Sequence, residues 1–130
     1  MAKKILIIDD DKLIAITLKR LLTHQGYDVT TAPHGLKALT FIEQSDFDLI
    51  LADIKMPYMD GIEAVKKIRE YLAQNHRKPI PEIFITAYAK EDIFHRALEL
   101  NAAGYIEKPF DVKTLQETIK KVIERTINYN

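Results

Sequence analysis

The sequence predicts an α/β protein whose five parallel strands form the middle layer of a three-layer sandwich. Short runs rich in β-branched residues alternate five times with segments in which apolar residues recur every three to four positions. This alternation is typical of parallel strands joined by helical crossovers. One run, residues 48–52, holds an unbroken apolar stretch, as in strands buried on both faces. Asp53 follows it directly, which places a carboxylate at the end of a central strand.

The predicted strands are short, and each ends at polar or turn-forming residues. They cover residues 4–8, 27–31, 48–52, 82–85 and 103–106. The second run is more polar than the others, which indicates a strand at the edge of the sheet.

Five helices are predicted between and after these strands. They cover residues 12–25, 36–42, 61–73, 90–100 and 111–127. Gly26 follows the first helix, in a position that favours glycine. Asp60 and Glu63 have the spacing of a capping box at the start of the third helix. Val112 begins the apolar stripe that the last helix is expected to bury.

Right-handed crossovers with helices on both faces predict the strand order 2-1-3-4-5, the flavodoxin-like arrangement. In such sheets ligands bind at the carboxyl ends of the strands, where the strand order reverses between strands 1 and 3. Asp9 and Asp10 follow the first strand, and Asp53 follows the third. The three carboxylates should therefore converge at this edge of the sheet.

Composition narrows the classes of function. The 130 residues predict one domain, residues 1–130, and 19 basic residues balance 19 acidic ones. This balance provides no electrostatic surface for nucleic acid or membranes. The absence of cysteine excludes disulfides, thiolate metal sites and cysteine nucleophiles. No apolar run approaches the roughly 20 residues of a membrane helix, and the run after the basic start is too short for a signal peptide. A soluble, cytoplasmic protein is expected.

The charges of the three carboxylates indicate what could bind at the carboxyl edge of the predicted sheet. Three close carboxylates repel one another, so either one of them is protonated or a cation lies among them. An all-oxygen set suits a hard cation, and Mg²⁺ is the usual one where phosphate is present. Thr86 and Lys108, after strands 4 and 5, add a hydroxyl and an ammonium group. A carboxylate nucleophile, a divalent metal, a lysine and a hydroxyl together predict phosphoryl transfer.

Each of these residues alone has a simpler explanation. An aspartate after a strand is most often a turn former or a helix cap. A lone threonine there is usually a turn hydroxyl, and a lone lysine is usually a surface charge. Their occurrence at successive carboxyl ends of one predicted sheet is what favours a site.

Several short motifs have the spacing of one known family. They are Asp9-Asp10, Met56-Pro57 and Asp60-Gly61 behind Asp53, Thr86-Ala87, and Lys108-Pro109-Phe110. Together they resemble the receiver (CheY-like) domain of two-component response regulators, and the resemblance covers Lys4 to about Ile127.

The resemblance implies that Asp53 accepts a phosphoryl group from a phosphohistidine on a sensor histidine kinase or a histidine phosphotransfer protein. It also implies Mg²⁺, bound directly by Asp10 and Asp53 and through water by Asp9. The backbone carbonyl of Lys55 would be a further ligand.

The same resemblance implies a switch. Lys108 and Thr86 would hold the phosphoryl oxygens, and Tyr105 matches the family's switch aromatic residue. The bond between Lys108 and Pro109 would be cis. Phosphorylation would then alter the surface of the fourth helix, fifth strand and fifth helix, to which a downstream protein binds.

Two other classes of function compete with a signalling switch. A phosphohydrolase with an aspartate nucleophile usually carries a second acid two residues later, but this position is Lys55. A binding module that is never phosphorylated would not need the full set of site residues. The sequence leaves open the kinase, the output, and whether the chain is a stand-alone receiver or part of a longer protein.

Two further hypotheses concern exposed side chains. Ile93 and Phe94 are adjacent and cannot easily share one helix face, so we expect Phe94 to be exposed on the partner surface. Lys55 and Tyr88 should flank the open side of the site and slow hydrolysis of the acyl phosphate by excluding water.

Overall fold

A computed structural model describes residues 2–54, 56, 59–87 and 92–128 of the chain. Strands and helices alternate along it. The strands are β1 (Lys4–Ile8), β2 (Asp28–Ala32), β3 (Leu49–Asp53), β4 (Glu82–Thr86) and β5 (Gly104–Glu107). The helices are α1 (Lys12–His24), α2 (Gly35–Gln44), α3 (Gly61–Gln74), α4 (Asp92–Glu99) and α5 (Val112–Asn128). In these ranges no helix combines the length and apolar character that crossing a membrane requires.

The five strands form one parallel sheet in the order β2-β1-β3-β4-β5. The predicted fold class and strand order are therefore confirmed, and the polar second strand lies at an edge. In the centre, Ile8 pairs with Ala32 on one side and Ala52 on the other. Asp53 pairs with Ile85, and Thr86 pairs with Glu107. The register thus brings the carboxyl ends of all five strands to one edge.

The sheet separates two apolar clusters, because successive strand residues point to opposite faces. In β1, Leu6 and Ile8 belong to the cluster that is covered by α2, α3 and α4. Ile5 and Ile7 belong to the cluster that is covered by α1 and α5. Every residue of β3 and β4 is buried, as the unbroken apolar run in β3 predicts.

Polar side chains cap the helices where the sequence changes from loop to apolar spacing. Asp11 caps α1 by accepting from the N–H groups of two residues in its first turn. Asp60 caps α3 in the same way, with its Oδ1 2.8 Å from the nitrogen of Glu63. At the end of α1, Gly26 adopts a φ of 97°, a backbone conformation that favours glycine, as predicted for this position.

Several predicted boundaries differ from the structure by one residue. β3 runs through Asp53 rather than ending before it, because the backbone of Asp53 still pairs with Ile85. The prediction that Val112 is buried is wrong, since 48% of its surface is exposed. Val112 is the first residue of α5, and the buried stripe of that helix begins one turn later, at Leu115.

Candidate functional site

Three carboxylates meet at the carboxyl edge of the sheet. Asp9 directly follows β1, and its N–H donates to the carbonyl of Ala32 in β2 at 3.0 Å. Asp53 is the last residue of β3. Asp9, Asp10 and Asp53 each contribute an oxygen to a group whose members all lie within 4.8 Å of one another. Asp9 and Asp53 are 4% and 9% exposed, whereas Asp10 is exposed.

Burial makes the negative charge of Asp9 unfavourable. Loss of solvent raises the pKa of this carboxyl, and the charges of Asp10 and Asp11 raise it further. The N–H of Asp11, which donates to Asp9 Oδ1 at 2.9 Å, lowers the pKa in part, as does the charge of Lys108. The effects that raise the pKa of Asp9 exceed those that lower it. A positive charge bound near these carboxylates would therefore be stabilised.

Lys108 supplies part of that charge. Its Nζ lies 3.7 Å from Asp53 Oδ1 and 3.9 Å from Asp9 Oδ2, and its side chain is 19% exposed. The residue follows β5, and its N–H donates to the carbonyl of Thr86 at 2.7 Å. The peptide bond between Lys108 and Pro109 is cis, as the resemblance implies. The ammonium group therefore lies between two of the three carboxylates.

Thr86 closes the same edge on the β4 side. It is the last residue of β4 and is 1% exposed. Because β4 lies next to β3, Thr86 follows the residue that pairs with Asp53. The structure thus brings the acidic residues, Lys108 and Thr86 to one edge, where the sequence places them.

The segment after β3 returns very close to Asp53. The N–H of Gly61, the first residue of α3, donates to the carbonyl of Ile54 at 2.7 Å. A Cβ atom placed on Gly61 would lie only 2.0 Å from the carbonyl oxygen of Asp53. Sequence reasoning missed this contact, since the Asp60-Gly61 pair indicated a loop, a helix cap and a family motif, but not an approach to the backbone of Asp53.

Tyr105 in β5 packs between two aromatic rings and contacts the end of α4. Its ring centroid lies 6.1 Å from that of Phe84 and 5.9 Å from that of Phe94. Its hydroxyl accepts from the N–H of Ala102 at 3.0 Å and donates to the carbonyl of Ala97 at 3.1 Å. These contacts bury Phe94 only in part, so its ring is neither exposed, as predicted, nor fully buried.

Several predicted features lie outside the described residues. They are Lys55 as a metal ligand and water shield, Pro57 of the loop motif, and Tyr88. The side chain of Ile93 is likewise not described.

Comparison with known proteins identifies the family. The sequence profile described as the response regulator receiver domain matches residues 5–120. The chain belongs to this family. A receiver domain is the signalling domain of two-component systems.

Relatives of similar length support the assignment. This receiver domain is 40% identical to the chemotaxis protein CheY-3 of Vibrio cholerae over 123 residues, which cover 94% of this chain and 92% of that protein. It is 37% identical to sporulation initiation phosphotransferase F of Bacillus subtilis over 123 residues, 95% of each chain. A CheY-like receiver domain protein from Methanospirillum hungatei superposes with a TM-score of 0.89 at 32% identity, over the full length of both chains.

Proposed function

We propose that this receiver domain is a phosphorylation-controlled switch of a two-component phosphorelay, with Asp53 as the phosphoryl acceptor. The observation that carries the proposal is the position of Lys108, whose ammonium lies 3.7 Å from Asp53 Oδ1 within the carboxylate group. A lysine there attracts an anionic phosphoryl donor toward the nucleophile and offsets charge on the transferred oxygens.

The reaction is a transfer between two covalent carriers. A carboxylate oxygen of Asp53 attacks the phosphorus of a phosphohistidine, and the bond between phosphorus and the imidazole nitrogen breaks. The nitrogen keeps the electron pair and takes a proton from water, while Asp53 becomes an acyl phosphate. Lys108 and the hydroxyl of Thr86 bind the phosphoryl oxygens.

The site residues fit Mg²⁺. The group consists of carboxylate oxygens alone, with spacing close enough to share one ion, and hard oxygen donors are what Mg²⁺ selects. Asp10 and Asp53 would bind the ion directly and Asp9 through water, with the carbonyl of Lys55 as a further ligand. When bound, Mg²⁺ neutralises charge on the transferred phosphoryl group.

We propose further that the domain catalyses only its own phosphorylation and dephosphorylation and acts in the cytoplasm. Its phosphoryl donor is a sensor histidine kinase or a histidine phosphotransfer protein. Its output is the surface formed by α4, β5 and α5, which binds a downstream protein. Nucleic acid and membranes are not direct partners.

Thr86 and Tyr105 are the proposed link between the site and that surface. A phosphoryl oxygen that binds the Thr86 hydroxyl draws the segment after β4 toward Asp53, and the Tyr105 ring turns inward. This turn breaks both hydrogen bonds that the Tyr105 hydroxyl makes near the end of α4. A local charge thereby shifts an element with two arrangements.

Intact mass measurement after treatment with acetyl phosphate and Mg²⁺ tests the proposal. We expect the wild-type chain to gain one phosphoryl group and Asp53→Asn to gain none. Asp28→Asn, an exposed acidic residue at the start of β2, is the matched control and should gain the group normally. An equal gain in Asp53→Asn would move the acceptor elsewhere, and no gain in wild type would favour a binding module.

A further inference from the structure

We propose that Gly61 is a positioning residue for the phosphorylation of Asp53. Because Gly61 has no side chain, the first turn of α3 lies directly against the backbone of Asp53 and fixes the direction of its carboxylate. This inference rests on the proposed function, in which Asp53 is the acceptor.

The contact is between backbone atoms and cannot be relieved by rotating a side chain. A Cβ on Gly61 would lie 2.0 Å from the carbonyl oxygen of Asp53, 2.9 Å from its carbonyl carbon and 3.2 Å from the Cα of Ile54. Cβ atoms essentially never approach heavy atoms of residues beyond their own chain neighbours within 3.0 Å. Any larger residue must therefore move either the start of α3 or the end of β3.

Hydrogen bonds on both sides hold this junction in place. The N–H of Gly61 donates to the carbonyl of Ile54 at 2.7 Å, and the N–H of Ile54 donates to the carbonyl of Ile85 in β4 at 3.2 Å. Ile54 itself is fully buried. The end of β3 is thus fixed by β4 on one side and by α3 on the other, so a displaced α3 displaces Asp53.

The other glycines of the chain do not have this relation to the site. A Cβ on Gly35 would meet the sulfur of Met59, the end of a flexible side chain, and the Cβ of Ala64. Gly26 has open space around it and is constrained only by its φ of 97°. A Cβ on Gly104 would meet only side-chain atoms. Gly61 is the one whose replacement acts on the backbone of the acceptor.

The test compares Gly61→Ala with Gly26→Ala. Both variants should lose stability, the second because alanine is strained at positive φ, but only the first should disturb Asp53. At a temperature where both are folded by circular dichroism, we expect the maximal rate of phosphorylation by acetyl phosphate to fall by about 10-fold to 100-fold in Gly61→Ala. Gly26→Ala should stay within about 2-fold of wild type.

A second measurement does not depend on phosphorylation. Mg²⁺ affinity, followed by NMR titration, should weaken by about 10-fold in Gly61→Ala and not in Gly26→Ala, because the carboxylate of Asp53 is displaced. If wild type is phosphorylated and the two variants match in rate and Mg²⁺ affinity, the inference is overturned and the proposed function stands. If wild type takes no phosphoryl group, the proposed function fails. The role of Gly61 in positioning Asp53 is then supported by a weaker Mg²⁺ affinity in Gly61→Ala alone, and overturned by equal affinities.

Should Gly61→Ala fail to fold, a matched pair of cap variants replaces it. Asp60→Ala removes the cap of α3, and His34→Ala removes the equivalent cap of α2. We expect the phosphorylation rate to fall by about 3-fold or more in Asp60→Ala alone, since fraying of the first turn of α3 loosens its contact with Asp53. Equal rates in both cap variants would overturn the inference.

Discussion

Two aspartates of this chain show how surroundings decide the preferred state of a carboxyl group. Asp9 is buried among other carboxylates, and burial raises its pKa. Asp111 is exposed at the start of α5, where its Oδ1 accepts from the N–H of Thr114 at 2.6 Å. That hydrogen bond lowers the pKa of Asp111 below its ordinary value of 3.8. Negative charge is thus unfavourable on Asp9, among the carboxylates at the edge of the sheet, and favourable on Asp111 at the helix cap.

The cap makes a pH-dependent contribution to stability. Because the pKa of Asp111 is lower in the folded state, the ionised carboxylate stabilises the fold above pH 3.8, and this contribution is lost as the pH falls through the folded pKa. We expect Asp111→Asn, which keeps a cap oxygen but no charge, to unfold at lower urea concentration than wild type at neutral pH. The difference should shrink as the pH falls below 3.8.

Asp28→Asn controls for the removal of one negative charge from an exposed site. Its difference from wild type should change less over the same range of pH. If Asp111→Asn and wild type unfold at the same urea concentration at every pH, the charge of the cap has no role in stability.

The end of α4 is the element that the proposed switch would move, and polar contacts among the described residues hold it. The Tyr105 hydroxyl donates to the carbonyl of Ala97, and Arg69 Nη1 donates to the carbonyl of Leu100 at 2.9 Å. Arg96 Nη1 lies 3.8 Å from Asp60 Oδ2, in the segment that precedes α3. These contacts join the end of α4 to β5 and α3. A switch through Tyr105 would break the hydrogen bond between its hydroxyl and the carbonyl of Ala97.

Tyr105→Phe keeps the ring but removes both hydrogen bonds of the hydroxyl. We expect it to lower the free energy of unfolding by about 1–3 kcal/mol, because each of the two hydrogen bonds contributes about 0.5–1.5 kcal/mol. Amide hydrogen exchange should speed up at residues 97–102 and stay unchanged in β1 and β3. Mass spectrometry of peptides after exchange measures both regions in one experiment.

Tyr71→Phe is the matched control. The ring of Tyr71 packs against Arg77, and its hydroxyl makes no hydrogen bond to the described residues. The control should leave exchange at residues 97–102 unchanged. Equal exchange there in Tyr105→Phe and wild type would mean that the hydroxyl does not hold the end of α4.

Periodicity in the sequence predicted the elements well because it depends on neighbours in the chain. The stripe of α3 and the apolar run of β3 are both buried as expected. The missed features depend on contacts between distant segments. The approach of Gly61 to Asp53 and the hydrogen bonds of Tyr105 follow from how α3 and α4 pack on the sheet. A sequence pattern shows an Asp-Gly pair and a tyrosine, but not which backbone atoms they meet.

At the scale of the whole molecule, the proposed reaction site and the arginine contacts lie at opposite edges of the sheet. The carboxylates, Thr86 and Lys108 lie at the carboxyl edge. At the amino edge, Glu82 begins β4 with a nearly buried side chain and forms two hydrogen bonds with Arg69 of α3, at 2.9 and 2.6 Å. The guanidinium of Arg77 donates hydrogen bonds to the carbonyls of Ile42 and Ser45 at the end of α2. The equal numbers of basic and acidic residues in the sequence did not indicate that arginines would join the helices and the sheet at this edge.

Arg69→Met should therefore reduce stability without impairing the chemistry. The variant leaves the carboxylate of Glu82, whose side chain is 5% exposed, without its cation. We expect a loss of roughly 2–3 kcal/mol in urea unfolding, less than for a fully buried pair because Arg69 is partly exposed. Well below the unfolding transition, phosphorylation of Asp53 should proceed within about 2-fold of the wild-type rate.

The double variant Arg69→Met with Glu82→Gln separates two effects on stability. One is the loss of the ion pair, and the other is the cost of leaving the buried charge of Glu82 unpaired. Glutamine carries no charge, so the double variant should be more stable than Arg69→Met alone, although both lack the ion pair. Equal stability of the two would mean that the charge of Glu82 is not what Arg69 compensates. A phosphorylation rate that falls together with stability, at a temperature where the variant is folded, would mean that the amino edge is coupled to the site through α3. In that case the two edges would not act independently, and the contact of α3 with Asp53 would be the route of coupling.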